Sequence, residues 1–199
     1  MHTYLALGDS YTIGELVPPE LNFPHQTTTI LNASGFNIAE PVIIATTGWT
    51  TDELASAIAQ KNLQHSFDIV TLLIGVNNQY RGRDLENYKM EFTELLQKAI
   101  QFAGMQPNHV FVLSIPDWGA TPFAQGKDRQ QIALEIDAYN AANAQIAAES
   151  QCHYLNITDS TRTNANNEIF LASDGLHPSA KEYEVWANRL APLIRQVFN

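Results

Sequence analysis

Short apolar runs and longer stretches of helical spacing take turns along this chain. The short runs are Thr3 to Gly8, Pro41 to Ala45 (PVIIA), Phe67 to Ile74 (FDIVTLLI), Val110 to Ile115 (VFVLSI) and a weaker one from His153 to Ile157. The run at 67–74 is almost continuously apolar, as a strand covered on both faces must be, so it predicts a central parallel strand. Between the runs, apolar residues recur every three or four positions. Leu54, Ala55 and Ile58 do so in 51–61, behind the first-turn residues Thr51 and Asp52. Tyr88, Phe92, Leu95, Leu96, Ala99 and Ile100 do so in 84–103, which Gly104 ends. Ile132, Ile136, Tyr139 and Ile146 mark 130–149, and Tyr183, Trp186, Leu190 and Leu193 mark 179–198. Pro192 is expected to kink that last helix, and a weaker helical pattern covers 26–31.

Strands alternating with helices predict an α/β fold, and five of them favour an open doubly wound parallel sheet over an eight-unit barrel. Such sheets bind ligands outside the carboxyl ends of their strands. The strand-to-helix segments 9–25, 75–83, 115–127 and 158–177 are long and hold Gly, Pro, Trp and polar residues, whereas returns such as 62–66 and 104–109 are shorter. No linker or repeat interrupts the pattern, so residues 1–199 read as one domain.

Composition narrows the functional classes. Eleven Lys and Arg against 21 Asp and Glu give a net charge of −10, which argues against a nucleic-acid or anionic-membrane partner. The lone Cys152 forms no intrachain disulfide and rules out a structural zinc site built on two cysteines. No metal-ligand spacing links the other histidines, and no metal or cofactor is expected. No apolar stretch reaches the roughly 18 residues of a membrane span, and no signal peptide is visible. The chain reads as soluble, cytoplasmic as it stands, and secreted or periplasmic if a leader has been removed. Its oligomeric state leaves no trace in the sequence.

Four pieces carry candidate chemistry, each at the carboxyl end of a predicted strand. Ser10 follows the first strand in Gly8-Asp9-Ser10, where a helix start would aim its positive end at the same place. Gly48 follows the second strand and, lacking a Cβ, offers a backbone N–H for close approach. Asn77 follows the third in Ile74-Gly75-Val76-Asn77-Asn78, where its amide can donate to a developing oxyanion. Asp174 and His177 stand three apart before the final helix, so the carboxylate can fix the imidazole tautomer while the other ring nitrogen faces a nucleophile. Each piece has an ordinary alternative: a helix cap, a loop glycine, an Asn-rich turn and a surface turn with a satisfied histidine. It is their joint order, Ser10, Gly48, Asn77, Asp174 and His177, that is specific.

That order resembles the SGNH hydrolase superfamily, the GDSL-like lipases and acylhydrolases. The blocks are Ser10 in LALGDSYTIG, Gly48 in TTGWTTDEL, Asn77 in IGVNN, and Asp174 with His177 in SDGLHPSAKEY. The resemblance implies a flavodoxin-like, three-layer sandwich whose five-stranded sheet runs 2-1-3-4-5. It also implies metal-free hydrolysis of a small-molecule ester through an acyl-enzyme. Ser10 would be the nucleophile, His177 the base and Asp174 its orienting acid. The oxyanion hole would consist of the Ser10 and Gly48 N–H groups and the Asn77 amide. Tyr11 stands where the older motif has Leu, and Asn78 where many members have Asp.

The substrate side is less defined. Trp49, Asn78, Tyr80, Trp118 and Phe123 are candidates for an acyl-chain or sugar-ring wall, with ordinary loop packing as the alternative. Arg81 and Arg83 either bind a substrate carboxylate or are solvated charges, and Asp117 reads as a turn former. The expected activity is hydrolysis of short-chain or O-acetyl esters of a polar alcohol or carbohydrate. The alternatives are a lysophospholipase or thioesterase acting on longer chains, or a binding module without catalysis. A flavin-binding module would share the sheet but leaves Asn77 and the Asp174/His177 pair without a purpose.

Overall fold

Strands covered on both faces need apolar side chains at successive positions, and the three inner strands of this molecule have them. The structure is a computed structural model that describes residues 1–61, 63 and 66–198. Its strands are β1 (Tyr4–Gly8), β2 (Val42–Ala45), β3 (Ile69–Leu73), β4 (Val110–Leu113) and β5 (His153–Leu155). They form one parallel sheet in the order β2-β1-β3-β4-β5. β1, β3 and β4 are buried throughout, whereas the edge strands β2 and β5 are only partly covered. The apolar run at 67–74 is therefore an inner strand, as expected. The weak run at 153–157 yields only three strand residues, because Asn156 turns the chain by accepting from the Thr158 N–H at 2.9 Å.

The helices are α1 (Ser10–Ile13), α2 (Phe23–Ala33), α3 (Thr51–Lys61), α4 (Val76–Tyr80), α5 (Leu85–Phe102), α6 (Arg129–Glu149), α7 (Thr158–Asn164) and α8 (Ala180–Phe198). They flank the sheet. α2 packs along α8, with the Phe23 and Trp186 rings 6.0 Å apart, while α3, α5 and α6 lie side by side on the other face. α8 buries Tyr183, Trp186, Ala187, Leu190, Ala191 and Ile194, one stripe at helical spacing. Each large side chain hidden in this way contributes about 1.5–3 kcal/mol. The helix runs on through Pro192, which has no amide to bond the carbonyl of Asn188. Among the described residues no helix is long and apolar enough to cross a membrane.

The four long segments expected as loops are partly helical. They contain α1, α4, α7 and single turns of 3-10 helix at Pro19–Leu21, Trp118–Ala120, Pro122–Ala124 and Glu168–Phe170. The pattern at 26–31 belongs to the longer α2, which begins at Phe23 under an Asn22 cap. In the predicted return at 62–66, positions 62, 64 and 65 lie outside the described residues. The consequence for function is one of place. The order reverses between β1 and β3, and α1 and α4 start from the carboxyl ends of those two strands, at the topological switch point.

Candidate active site

β1 ends at Gly8, and Asp9 caps the four-residue α1 by accepting from the Tyr11 N–H at 3.0 Å. Ser10 is therefore the first helical residue, not the cap, and its backbone N–H is among those a helix start leaves unpaired within the helix. Its side chain is buried, and its Oγ lies 3.0 Å from Nε2 of His177. The other ring nitrogen, Nδ1, lies 2.6 Å from Oδ2 of Asp174. The second oxygen of Asp174 accepts from the His177 and Leu176 N–H groups, both at 3.0 Å, so the turn before α8 fixes the carboxylate as well as the ring. Burial works to raise the Asp174 pKa, but the imidazole contact and these two amides outweigh it and hold the carboxyl below its usual range. The anion is thus the stable form beside Nδ1, and in the tautomer that donates Nδ1–H to it the Nε2 lone pair is placed to accept from Ser10.

β3 ends at Leu73, and Ile74 leads to Gly75, where φ is +129°. A Cβ on Gly75 would lie 2.4 Å from the Tyr88 hydroxyl, so only glycine lets the chain turn into α4 here. That turn brings Asn77 to the same crevice. Its Nδ2 donates to the Trp49 carbonyl at 3.0 Å and approaches Oδ2 of Asp9 at 3.4 Å. Gly48, on the turn after β2, has φ +83°. Ser10, Gly48, Asn77 and His177 line one cleft of about 200 Å³, together with Tyr11, Thr47, Val76, Tyr80, Trp118, Phe123 and Leu176. Among the described residues no group of three or more His, Cys, Asp or Glu side chains is placed to hold a metal ion.

The model of the GDSL-like Lipase/Acylhydrolase family matches residues 6–185. The chain belongs to this family. No curated protein sequence matches it significantly. Solved structures with the same fold include TesA, at 16% identity over 98% of both chains with a TM-score of 0.76. The psychrotrophic esterase EstA from Pseudoalteromonas sp., solved with monoethylphosphonate as inhibitor, is 17% identical over 100% of both chains, with a TM-score of 0.75. Axe2, an acetylxylan esterase from Geobacillus stearothermophilus, is 18% identical over 97% of this chain and 94% of its own, with a TM-score of 0.75. The GDSL-like lipases and acylhydrolases are ester-bond hydrolases, so the chain belongs to a family of ester-bond hydrolases.

Three of the five expected substrate-wall residues face that cleft. Trp118 is buried and held by its indole N–H donating to Gln79 at 2.7 Å, and Tyr80 and Phe123 stand edge-on to it at 5.0 and 6.1 Å. The other two do not line it. Trp49 packs its ring against the core and offers the site only its carbonyl. Asn78 is fully buried, accepting from the Thr51 N–H at 3.1 Å and donating to the Thr51 hydroxyl at 2.6 Å, so it ties α4 to the start of α3. Adjacent helical residues point about 100° apart, which sends Asn77 to the cleft and Asn78 away from it. Asp117 is the turn former it was read as, accepting from the Gly119 N–H and from Arg162.

Sequence reasoning gave no role to Asp9, although it lies between the catalytic candidates. It is fully buried, and burial raises its pKa to about 7 against the pull of the Tyr11 amide and the Asn77 side chain. A signal existed: an Asp directly after an apolar strand and before a short helix is a natural cap. Tyr11, the departure from the older motif, packs on the imidazole with ring centroids 5.2 Å apart.

Proposed function

We propose that this protein is a serine esterase that removes short acyl groups, acetyl above all, from a polar alcohol such as a sugar. The observation that carries the reading is the run of contacts from Asp174 to His177 to Ser10, at 2.6 and 3.0 Å, opening on a cleft that also holds Asn77. Ser10 Oγ attacks the ester carbonyl carbon while His177 Nε2 takes its proton. The carbonyl oxygen becomes an oxyanion that the Ser10 and Gly48 N–H groups and the Asn77 amide stabilise. The contact from Asn77 to Asp9 is long for a hydrogen bond, so that amide hydrogen is the one able to strengthen its interaction as charge develops. The ester C–O bond then breaks, and the leaving alcohol takes the proton from Nε2. Water, deprotonated by the same nitrogen, attacks the acyl-enzyme and releases the acid and Ser10. Asp174 keeps the ring oriented and balances its charge in both steps.

Two features support this substrate, one for the acyl group and one for the alcohol. The cleft, at about 200 Å³, lies below the roughly 300–1,000 Å³ common for drug-sized ligands. Its rim carries the exposed rings of Tyr80 and Phe123, flat surfaces suited to a sugar face. Labelling by an alkyl phosphonate probe tests the chemistry, and an acyl series from acetyl to dodecanoyl tests the size. The wild type is expected to be labelled at Ser10 and to turn over acetyl esters best. Ser10→Ala should lose labelling and about 10⁴-fold or more of kcat with its fold intact. Turnover that climbs with chain length would favour a lysophospholipase-like or thioesterase-like enzyme, and no labelling at all would favour a binding module.

A further inference from the structure

Gly48 is the least supported member of the cleft. Its φ of +83° suits a residue without a Cβ, and, its two chain neighbours aside, the only atom of the described residues within 4 Å of where that Cβ would stand is Nη2 of Arg81, at 3.8 Å. The same Nη2 donates to the Gly48 carbonyl at 2.7 Å. Arg81 is also the residue that closes α4, and its backbone N–H donates to the carbonyl of Asn77 at 3.0 Å. One residue therefore grips Gly48 with its side chain and Asn77 with its main chain. The guanidinium is held in turn by Glu53, 3.4 Å from Nη1, whose carboxylate accepts from the Thr50 N–H and hydroxyl, both at 2.9 Å.

We infer that Arg81 is a positioning residue that sets Gly48 and Asn77 at a fixed spacing, so that both present donors to one oxyanion. This rests on the esterase reading above. A glycine on a surface turn samples many backbone angles, and an oxyanion donor displaced by a fraction of an ångström loses much of its value. The planar, forked guanidinium bonds a carbonyl and a carboxylate together, which a lysine ammonium does less well. Arg81 acts through Gly48 and not on substrate, so its loss should appear in the rate of the chemical step.

The test measures kcat, KM and inhibition by a short alkylboronic acid, a mimic of the tetrahedral intermediate, in Arg81→Ala, Arg81→Lys, Glu53→Gln and Ser10→Ala. Arg81→Ala should lower kcat for an acetyl ester about tenfold or more, leave KM within about twofold, and weaken boronate binding by the same factor as kcat/KM. Arg81→Lys should restore part of the rate, and Glu53→Gln should show a smaller loss of the same kind. Thermal unfolding should change little, since the Arg81 side chain is 43% exposed. If Ser10→Ala is inactive but Arg81→Ala keeps its kcat and its boronate affinity, this inference alone falls. A loss confined to KM would place Arg81 on the substrate and equally overturn it. Full activity in Ser10→Ala would overturn the esterase reading, and this one with it.

Discussion

Asp9 couples the candidate nucleophile to the stability of the whole chain. Its carboxyl is buried beside Ser10, and burial raises its pKa to about 7, against about 3.9 for an unfolded Asp. The folded state therefore holds this proton more tightly than the unfolded state does. The stability it contributes is fully present below about pH 4 and is lost as pH rises through about 7, to a limit of about 4 kcal/mol. Asp174 has the opposite sign. Its lowered pKa gives stability that is present at neutral pH and lost only in acid, so the two effects occupy different pH windows. Asp9→Asn removes the titration but keeps an oxygen for the Tyr11 N–H. Urea unfolding of both proteins between about pH 4.5 and 8 should show the advantage of wild type over Asp9→Asn shrinking as pH rises, then levelling off. A difference that does not vary with pH would mean that Asp9 does not titrate in this range.

At the scale of elements, the contact between α4 and α3 is set by a relay with a direction. The Asn78 Nδ2 donates to the Thr51 hydroxyl, and that hydroxyl donates to the carboxylate of Glu91 on α5. Asp at position 78 would leave the single Thr51 proton between two carboxylates, one of them fully buried. Asn78→Asp should cost about 1–3 kcal/mol and lower Tm by roughly 2–12 °C. Adding Glu91→Gln should recover part of that loss, because an amide can donate back to Thr51. An Asn78→Asp protein as stable as wild type would show that the relay has no such polarity. The same relay shows what a sequence hides. The inner strands were legible because burial on both faces writes an unbroken apolar run, and the long helices because one buried stripe repeats at helical spacing. The short helices α1, α4 and α7 are too brief to show any period. The start of α2 was obscured by Pro24, which breaks a helix interior but suits a first turn. Ser10, Gly48, Asn77, Asp174 and His177 were legible from strand ends and motif order. Which way Trp49 and Asn78 face, and what Arg81 holds, depends on partners distant in sequence.

For the whole molecule, charge and the position of the cleft act together. The chain carries −10, and two arginines near the site are already engaged, Arg81 with Glu53 and Arg83 with Asp52. Among the described residues that line the cleft, His177 is the only basic side chain, and Asp174 accompanies it. An anionic substrate therefore approaches a chain of net negative charge and meets no Lys or Arg among the described residues that line the cleft, whereas a neutral ester meets no such barrier. The proposed action on sugar esters can therefore be tested against thioesterase action on coenzyme A esters, or hydrolysis of acidic lysophospholipids, by its response to salt. We expect kcat/KM for an acetylated neutral sugar to be nearly flat between about 10 and 300 mM NaCl, because screening has nothing to remove. For acetyl-coenzyme A it should be lower and rise roughly threefold to tenfold over the same range, as salt screens the repulsion between like charges. The opposite slope, with turnover of the anionic ester falling as salt is added, would reveal attraction. It would then count against a neutral alcohol as the natural leaving group.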